Sequence, residues 1–229
     1  MISVLTLTYK RPHLLEEAIQ SFLSQDDLTD CEMVVINDNP EVDYIYDHPQ
    51  VRIINHKERF SSISAKLEWG YKQCACPFIY RLDDDDLLMP YALSQTTLDI
   101  LAYPGYDIYR SRGMYFFCEN LYEADSGNIN NGNCYSKAYL DRITFPNTSA
   151  GEDADITFMH GAHIYETTYN HTMIYRWGMG TFHVSGLGIQ DNQVILDHAD
   201  LVLDDTKGEV ILNPHFKNDY YGQVDRASK

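Results

Sequence analysis

Four consecutive aspartates, Asp83 to Asp86, are the residues of this 229-residue chain best suited to chemistry. They follow an apolar, strand-like run at 78–82, and no basic residue comes directly after them. Adjacent carboxylates repel one another, and a divalent cation would hold them in order. In an extended segment alternate side chains share a face, so Asp83 and Asp85 would present two oxygen ligands of the kind that Mg²⁺ or Mn²⁺ prefers. A solvated acidic turn at a helix N-terminus is the other interpretation.

Alternating strand and helix patterns in the first half of the chain determine where these aspartates would lie. The order is typical of parallel β-α-β units, in which ligands bind beyond the carboxyl ends of the strands. Tyr9, Asn37, Asp38 and the four aspartates all follow predicted strands, so we expect them along one edge of a sheet. The predicted strands are 2–8, 32–36, 51–54 and 78–82, and the predicted helices are 12–23, 62–74 and 90–101.

The second half of the chain is less regular. Strands are predicted at 106–111 and 113–118, joined by a tight turn at Arg112 and Gly113. A short helix is predicted around 136–141, an acidic helix start after Gly151, and a strand at 171–177. The last forty or so residues are polar and acidic and contain no motif that we can assign.

Composition excludes some functions. A net charge of −17 and a pI near 4.7 argue against binding to nucleic acid or an anionic membrane, because those ligands require basic surfaces. The five cysteines are odd in number and lack zinc spacing, which indicates reduced thiols. No pattern of a signal peptide or a membrane span is present, so we expect a soluble, intracellular, cytoplasmic protein.

Five segments in their order and spacing resemble the family 2 glycosyltransferases of the GT-A fold. The resemblance implies an α/β fold with a Rossmann-like, mostly parallel central sheet flanked by helices, and a smaller mixed acceptor-side region. It implies one domain over 1–229, with a nucleotide-sugar-binding half at about 1–102, an acceptor and catalytic-base half at about 103–190, and a C-terminal segment at about 191–229. The segments are 3–12, 34–39, 66–70, 80–86 with Pro90, and 151–153.

The resemblance also implies an activity and a metal. The reaction would be the metal-dependent transfer of a sugar from a nucleotide-diphosphate sugar, with a UDP-sugar favoured, to an acceptor hydroxyl with inversion. Asp85 matches the metal-binding aspartate of the family, and Asp83 is the other arm of Asp-x-Asp around Mn²⁺ or Mg²⁺; Asp84 and Asp86 are further candidates. His183 is the candidate for an additional metal ligand, with the histidines at 160, 163 and 171 as competitors.

Donor-binding roles follow from the same resemblance. Tyr9 matches a position that packs on the nucleobase, and Asp38 one that binds the base or the ribose. Asn37 stands where the family usually has aspartate, and an amide can donate as well as accept. Lys66 lies near a basic position of the donor-binding helix, although a solvated helix lysine explains it equally well. The implied donor-binding residues are Thr8, Tyr9, Arg11, Asn37, Asp38, Lys66, Asp83 and Asp84.

Asp153 matches the aspartate of the Glu-Asp motif, the expected catalytic base. An attacking hydroxyl must lose its proton, and one carboxylate on that side suffices as general base. Glu152 would orient Asp153 or bind the acceptor. Helix capping is the structural alternative for both residues.

Two other functions are consistent with parts of the sequence. A sugar-1-phosphate nucleotidyltransferase shares related architecture, but the loop after the first strand lacks the glycine-rich phosphate motif expected there. A non-catalytic carbohydrate- or calcium-binding module is the third possibility, although the four aspartates lack the spaced ligands and glycine of an EF-hand. We expect a glycan or another hydroxyl compound as the acceptor partner.

Overall fold

The protein is described by a computed structural model over residues 1–125, 132–167, 171–177, 193–195, 197 and 204–227. In these residues the strands are β1 (Ile2–Thr8), β2 (Cys31–Asn37), β3 (Val42–Ile45), β4 (Val51–Asn55), β5 (Phe78–Arg81), β6 (Leu87–Leu88), β7 (Ile108–Ser111), β8 (Gly113–Cys118), β9 (Asn120–Asp125), β10 (Cys134–Ser136), β11 (Ile164–Thr167), β12 (Met173–Arg176) and β13 (Gly208–Ile211). The helices are α1 (Pro12–Leu23), α2 (Ile63–Gln73), α3 (Ala92–Ala102), α4 (Lys137–Leu140), α5 (Glu152–Phe158) and α6 (Tyr220–Ala227).

These strands form three sheets. The largest has seven strands in the order β11-β7-β10-β5-β1-β2-β4, and every neighbouring pair in it is parallel except the two that involve β10. The second sheet has the order β6-β12-β8-β9, and β13 pairs with β3 in a third. The predicted mostly parallel α/β architecture is confirmed.

The central strand β1 and the helix after it form as their sequences predict. All seven residues of β1 are buried, which suits a strand with neighbours on both sides and helices on both faces. Pro12 begins α1 because a proline at the first helical position lacks only an N–H that would have no intrahelical partner. The predicted bounds 2–8 and 12–23 match β1 and α1.

Helices pack on both faces of the sheet and fix its carboxyl edge. Alternate residues of β1 belong to two separate hydrophobic clusters, with α1 in one and α2 in the other. Gly70 of α2 lets the helix approach closely, because a Cβ there would lie 3.2 Å from side-chain atoms of both Leu5 and Ile36. The helices thereby hold the strands whose ends carry the polar residues.

The two strands predicted at 106–111 and 113–118 are present as β7 and β8. We expected a tight turn at Arg112 and Gly113 to join them; the structure adds that β7 belongs to the seven-stranded sheet and β8 to the four-stranded sheet. β8 pairs instead with β9 and β12, so residues 112–113 lead the chain from one sheet to the other. The strands that were not predicted are β3, β6, β9, β10, β11 and β13, whereas α4, α5 and β12 lie at their predicted positions.

The C-terminal segment, which the sequence left without a motif, contains both β13 and α6. β13 runs parallel to β3, and Leu212 N donates to Ile45 O across 2.9 Å. Tyr221 of α6 donates its hydroxyl to Leu88 O of β6 across 2.8 Å. The segment therefore packs against the N-terminal half of the protein.

Two general properties concern the described part of the chain. All five cysteines lie in it, and none is in a disulfide. None of its helices has both the length and the run of apolar residues that crossing a bilayer requires.

Candidate active site

Three of the four consecutive aspartates gather their carboxylates at the carboxyl end of β5. Oxygens of Asp83, Asp85 and Asp86 all lie within 4.8 Å of one another. Asp86 joins the group because the chain turns there, with Asp86 N donating to Asp83 O across 3.1 Å, instead of continuing in the extended form that we expected. The structure thus brings Asp83 and Asp85 together, and the turn adds Asp86.

Asp84 binds Arg11 in the loop between β1 and α1. The Arg11 guanidinium makes two hydrogen bonds to the Asp84 carboxylate, one of them from Nε to Oδ2 at 3.2 Å. Arg11 Nη1 also donates to Asp85 Oδ2 across 2.8 Å. Burial opposes charge on Arg11, but Asp84 and Asp85 outweigh it and raise the Arg11 pKa. Arg11 therefore joins the end of β1 to the end of β5.

The carboxylates of this cluster suit a divalent cation. Burial raises the pKa of Asp84 to about 6, against the lowering effect of Arg11. Burial, together with the charges of Asp85 and Asp83, raises the pKa of Asp86 well above its usual range. Grouped carboxylate oxygens are the hard ligands that Mg²⁺ and Mn²⁺ prefer, and such an ion would relieve their repulsion. The donor set of Asp83, Asp85 and Asp86 fits that ion.

Arg81, the last residue of β5, connects this cluster to the Glu-Asp motif. Its Nη2 lies 3.4 Å from oxygens of both Asp83 and Glu152, and its Nη1 forms an ion pair with Asp153. Burial opposes the charge of Arg81, but Asp83 and Glu152 outweigh it and raise the Arg81 pKa. Sequence analysis assigned Arg81 no role. The available signal was a cation in an otherwise apolar strand directly before the aspartates.

The backbone at Gly151 directs Glu152 and Asp153 toward Arg81. Gly151 has φ +75°, a left-handed conformation that glycine adopts without steric penalty, and α5 begins at the next residue. The Glu152 side chain is buried, whereas 31 % of the Asp153 side chain is exposed. The side chain of Asp83 is equally exposed at 31 %, so Arg81 lies between two carboxylates that both reach solvent.

Lys66 is not a solvated helix lysine. It is buried, and its Nζ donates to Thr8 O across 2.6 Å and to Asp38 Oδ1 across 2.5 Å. Asp38 Oδ2 accepts from Phe60 N at 3.1 Å. Burial lowers the pKa of Lys66 despite the neighbouring Asp38 charge. Lys66 thus ties together the carboxyl ends of β1 and β2, where the nucleotide-binding residues were predicted.

Asn37 uses its side chain to organise the backbone. Its Nδ2 donates to Val42 O across 2.8 Å and to Asn55 Oδ1 across 2.9 Å, and its Oδ1 accepts from Asn39 N at 3.1 Å. The residue is fully buried. The structure therefore gives Asn37 a role in shaping the turn between β2 and β3.

Tyr9 follows β1 and carries a cation on its ring. The Arg59 guanidinium carbon lies 3.6 Å from the ring centroid, and Lys10 Nζ lies 5.6 Å from it. Sequence analysis missed Arg59, because nothing in its local sequence indicates contact with a residue fifty positions earlier. His183 lies outside the described residues, so its predicted metal role stays a prediction.

Comparison with known proteins shows the family of the chain. The family described as "Glycosyl transferase family 2" matches residues 3–164. No curated protein sequence matches the chain.

Solved structures with a similar fold include complexes with nucleotide sugars. S. aureus TarS 1-349 in complex with UDP-GlcNAc has a TM-score of 0.64 and 18 % identity, over 79 % of this chain and 59 % of that one. TarS 1-349 without a named ligand gives 0.63 and 17 %, over 76 % and 60 %. The mannosyltransferase PcManGT from Pyrobaculum calidifontis, in complex with GDP-Man and Mn²⁺, gives 0.55 and 16 %, over 76 % and 56 %. The chain thus spans about three fifths of the TarS 1-349 chain.

Proposed function

Because the chain belongs to glycosyl transferase family 2, we propose that it transfers a sugar from a nucleotide-diphosphate sugar to an acceptor hydroxyl with inversion. The observation that carries this proposal is the meeting of two carboxylate groups around one guanidinium. Arg81 contacts Asp83 of the candidate cation site on one side and Asp153 of the Glu-Asp motif on the other. Donor and acceptor chemistry would then take place on either side of Arg81.

The donor would bind at the carboxyl edge of the sheet, in the half formed by about residues 1–102. Tyr9 would stack on the base, and Asp38, held by Lys66, would bind the base or the ribose. We favour a UDP-sugar. The two similar structures determined with UDP-GlcNAc and with GDP-Man and Mn²⁺ support a nucleotide-sugar donor in general.

Asp83, Asp85 and Asp86 would hold a Mn²⁺ or Mg²⁺ ion. Such an ion stabilises the negative charge that develops on a departing diphosphate. Arg11 binds the Asp84 carboxylate through two hydrogen bonds, and Asp84 is not one of these three residues. Arg81 neutralises part of the charge of Asp83 on the side that faces Asp153.

Asp153 would act as the general base. The acceptor oxygen forms a bond to the anomeric carbon while the bond from that carbon to the diphosphate oxygen breaks. The hydroxyl proton passes to a carboxylate oxygen of Asp153, and attack from the face opposite the diphosphate inverts the anomeric carbon. Glu152, buried against Arg81, would keep the guanidinium in place and so orient Asp153.

The test is the variant Asp153→Asn, which removes the proton acceptor and keeps the shape of the side chain. We expect sugar transfer to fall about 100-fold or more, because general-base catalysis contributes a factor of that order. Binding of UDP with Mn²⁺, measured by calorimetry, should change little.

Asp155→Asn is the matched control, since Asp155 lies on the same helix and binds His160 at 2.9 Å. It should keep wild-type turnover. If the Asp153→Asn variant, like the control, releases nucleoside diphosphate at the wild-type rate in the presence of acceptor, Asp153 is not the base. A wild-type protein that releases none with any nucleotide sugar would contradict the proposed activity itself.

A further inference from the structure

A buried arginine, Arg176, contacts two of the aspartates of the candidate cation site. It is the last residue of β12, and its side chain is fully buried. β12 pairs with β6, the strand that directly follows the four aspartates, with Ile174 opposite Leu87. This register continues toward the aspartates and brings Arg176 next to them.

Arg176 binds the aspartate turn through both its backbone and its side chain. Its backbone N donates to Asp86 Oδ1 across 2.7 Å, and its Nε donates to the backbone O of Asp85. These are two of the three residues whose carboxylates gather at the candidate site. One residue therefore sets the direction of the Asp86 carboxylate and the position of the Asp85 backbone.

The other end of the guanidinium is held by two distant helices. Arg176 Nη1 donates to Glu17 Oε2 of α1 across 2.5 Å and to the Tyr220 hydroxyl of α6 across 3.2 Å. Tyr220 also donates to Glu17 Oε2 across 3.4 Å, and both residues are buried. The backbone N of Lys217 donates to Glu17 Oε1 across 2.8 Å, which fixes the second oxygen of that carboxylate.

Stability alone is a poor explanation for this network. Taking Arg176 and Glu17 out of water is unfavourable, and hydrophobic residues of similar volume often stabilise a core as well as or better than a buried ion pair. The ion pair instead orients the groups that it binds, because a planar guanidinium fixes its hydrogen-bond partners at defined angles. Residues that orient metal ligands in this way affect metal affinity strongly.

We propose that Arg176 is the positioning residue of the cation site, and that Tyr220 of α6 sets the orientation of Arg176. The C-terminal segment would then determine how tightly Asp85 and Asp86 bind their ion. This inference rests on the proposed function only in taking the aspartates as a cation site.

The test compares Arg176→Lys, Tyr220→Phe and the control Tyr221→Phe. Tyr221→Phe removes a hydroxyl from the neighbouring position of α6, where it binds Leu88 O at 2.8 Å and not Arg176. Mn²⁺ affinity is measured by electron paramagnetic resonance of the free ion, with UDP present. Amide hydrogen exchange across residues 83–86 is measured in the metal-free protein.

We expect Arg176→Lys to weaken Mn²⁺ binding by about 10-fold, because lysine keeps the backbone N–H that binds Asp86 but loses the Nε donor that holds Asp85 O. Tyr220→Phe should weaken it by about 3–10-fold, the loss expected from one hydrogen bond. Tyr221→Phe should bind Mn²⁺ like the wild type. Exchange protection at 83–86 should fall in the first two variants and stay unchanged in the control, whose hydroxyl binds Leu88 O outside this segment.

The inference is overturned if Tyr220→Phe and Arg176→Lys match Tyr221→Phe in both measurements. A loss of exchange protection without weaker Mn²⁺ binding would also overturn it, because Arg176 would then serve folding alone. If the wild type transfers no sugar but the variants lose Mn²⁺ affinity as expected, the proposed function fails and the positioning role of Arg176 stands.

Discussion

Replacing Arg81 with methionine should destabilise the protein strongly. Arg81 is only 5 % exposed, and Glu152 beside it only 7 %, so the change leaves a buried carboxylate without its cation. Removing one partner of a buried ion pair typically costs about 3–5 kcal/mol. Asp83 and Asp153 are 31 % exposed, so water compensates them in part, and we expect the lower end, about 3 kcal/mol.

The measurement is urea or thermal unfolding of the metal-free protein. In a chain of this size a loss of about 3 kcal/mol lowers Tm by about 6–12 °C. Glu152→Gln should offset part of this, because it removes the charge that Arg81 neutralises. We expect the double variant to be about 1–3 kcal/mol more stable than the sum of the single effects predicts.

Arg226→Met is the matched control. Arg226 Nη1 lies 3.1 Å from Asp219 Oδ2, and 65 % of the Arg226 side chain and 67 % of the Asp219 side chain are exposed. Exposed ion pairs contribute about 0–1 kcal/mol, so this variant should unfold almost like the wild type. The reasoning is refuted if Arg81→Met costs no more than Arg226→Met, or if the effects of Arg81→Met and Glu152→Gln simply add.

Three further predictions concern Asp84, the proposed stacking of the nucleobase on Tyr9, and the close approach of α2 to the sheet at Gly70. The pKa of Asp84 is raised to about 6 in the folded state, so the stability that Asp84 contributes is complete below about pH 3.8 and is lost as the pH rises through 6. The Tm of the metal-free protein should therefore rise from pH 7 to pH 5, and Asp84→Asn should reduce that rise. Equal pH profiles of Tm in the two proteins would contradict this. Tyr9→Ala should weaken UDP binding by about 1–3 kcal/mol in calorimetry, the loss expected from one base–aromatic stack, while Tyr9→Phe should not; equal affinities in the two variants would exclude stacking. Gly70→Val should lower stability by about 1–3 kcal/mol in urea unfolding, because its Cβ would crowd Leu5 and Ile36 at 3.2 Å, and an unchanged midpoint would show that the helix moves away without penalty.

Local patterns predicted the parts of the fold that depend on local physics. β1 and α1 follow from an unbroken buried strand and from a proline at the first helical position, and their predicted bounds agree with the structure. β3 escaped prediction because the strand with which it pairs, β13, comes near the other end of the chain. A four-residue strand with such a distant partner leaves no periodicity to detect.

The same distinction applies to the candidate site. The aspartates were identifiable because four carboxylates in a row are unusual in any sequence. Arg81 and Arg176 were not assigned a role, because each binds a partner that is distant in the sequence. Arg81 pairs with Asp153, and Arg176 pairs with Glu17. The turn that brings Asp86 to Asp83 was also missed, because we assumed an extended segment with side chains on alternate faces where the backbone in fact turns.

The pairing of β3 with β13 has a consequence for how the chain folds during synthesis. Until Gly208–Ile211 has emerged from the ribosome, the β13-facing edge of β3 has no strand partner. An edge without its partner can pair with other chains, and a contact between such distant segments forms slowly. We therefore expect nascent chains that end before Gly208 to be the species most prone to self-association, and the last strand to be the step that protects the N-terminal half.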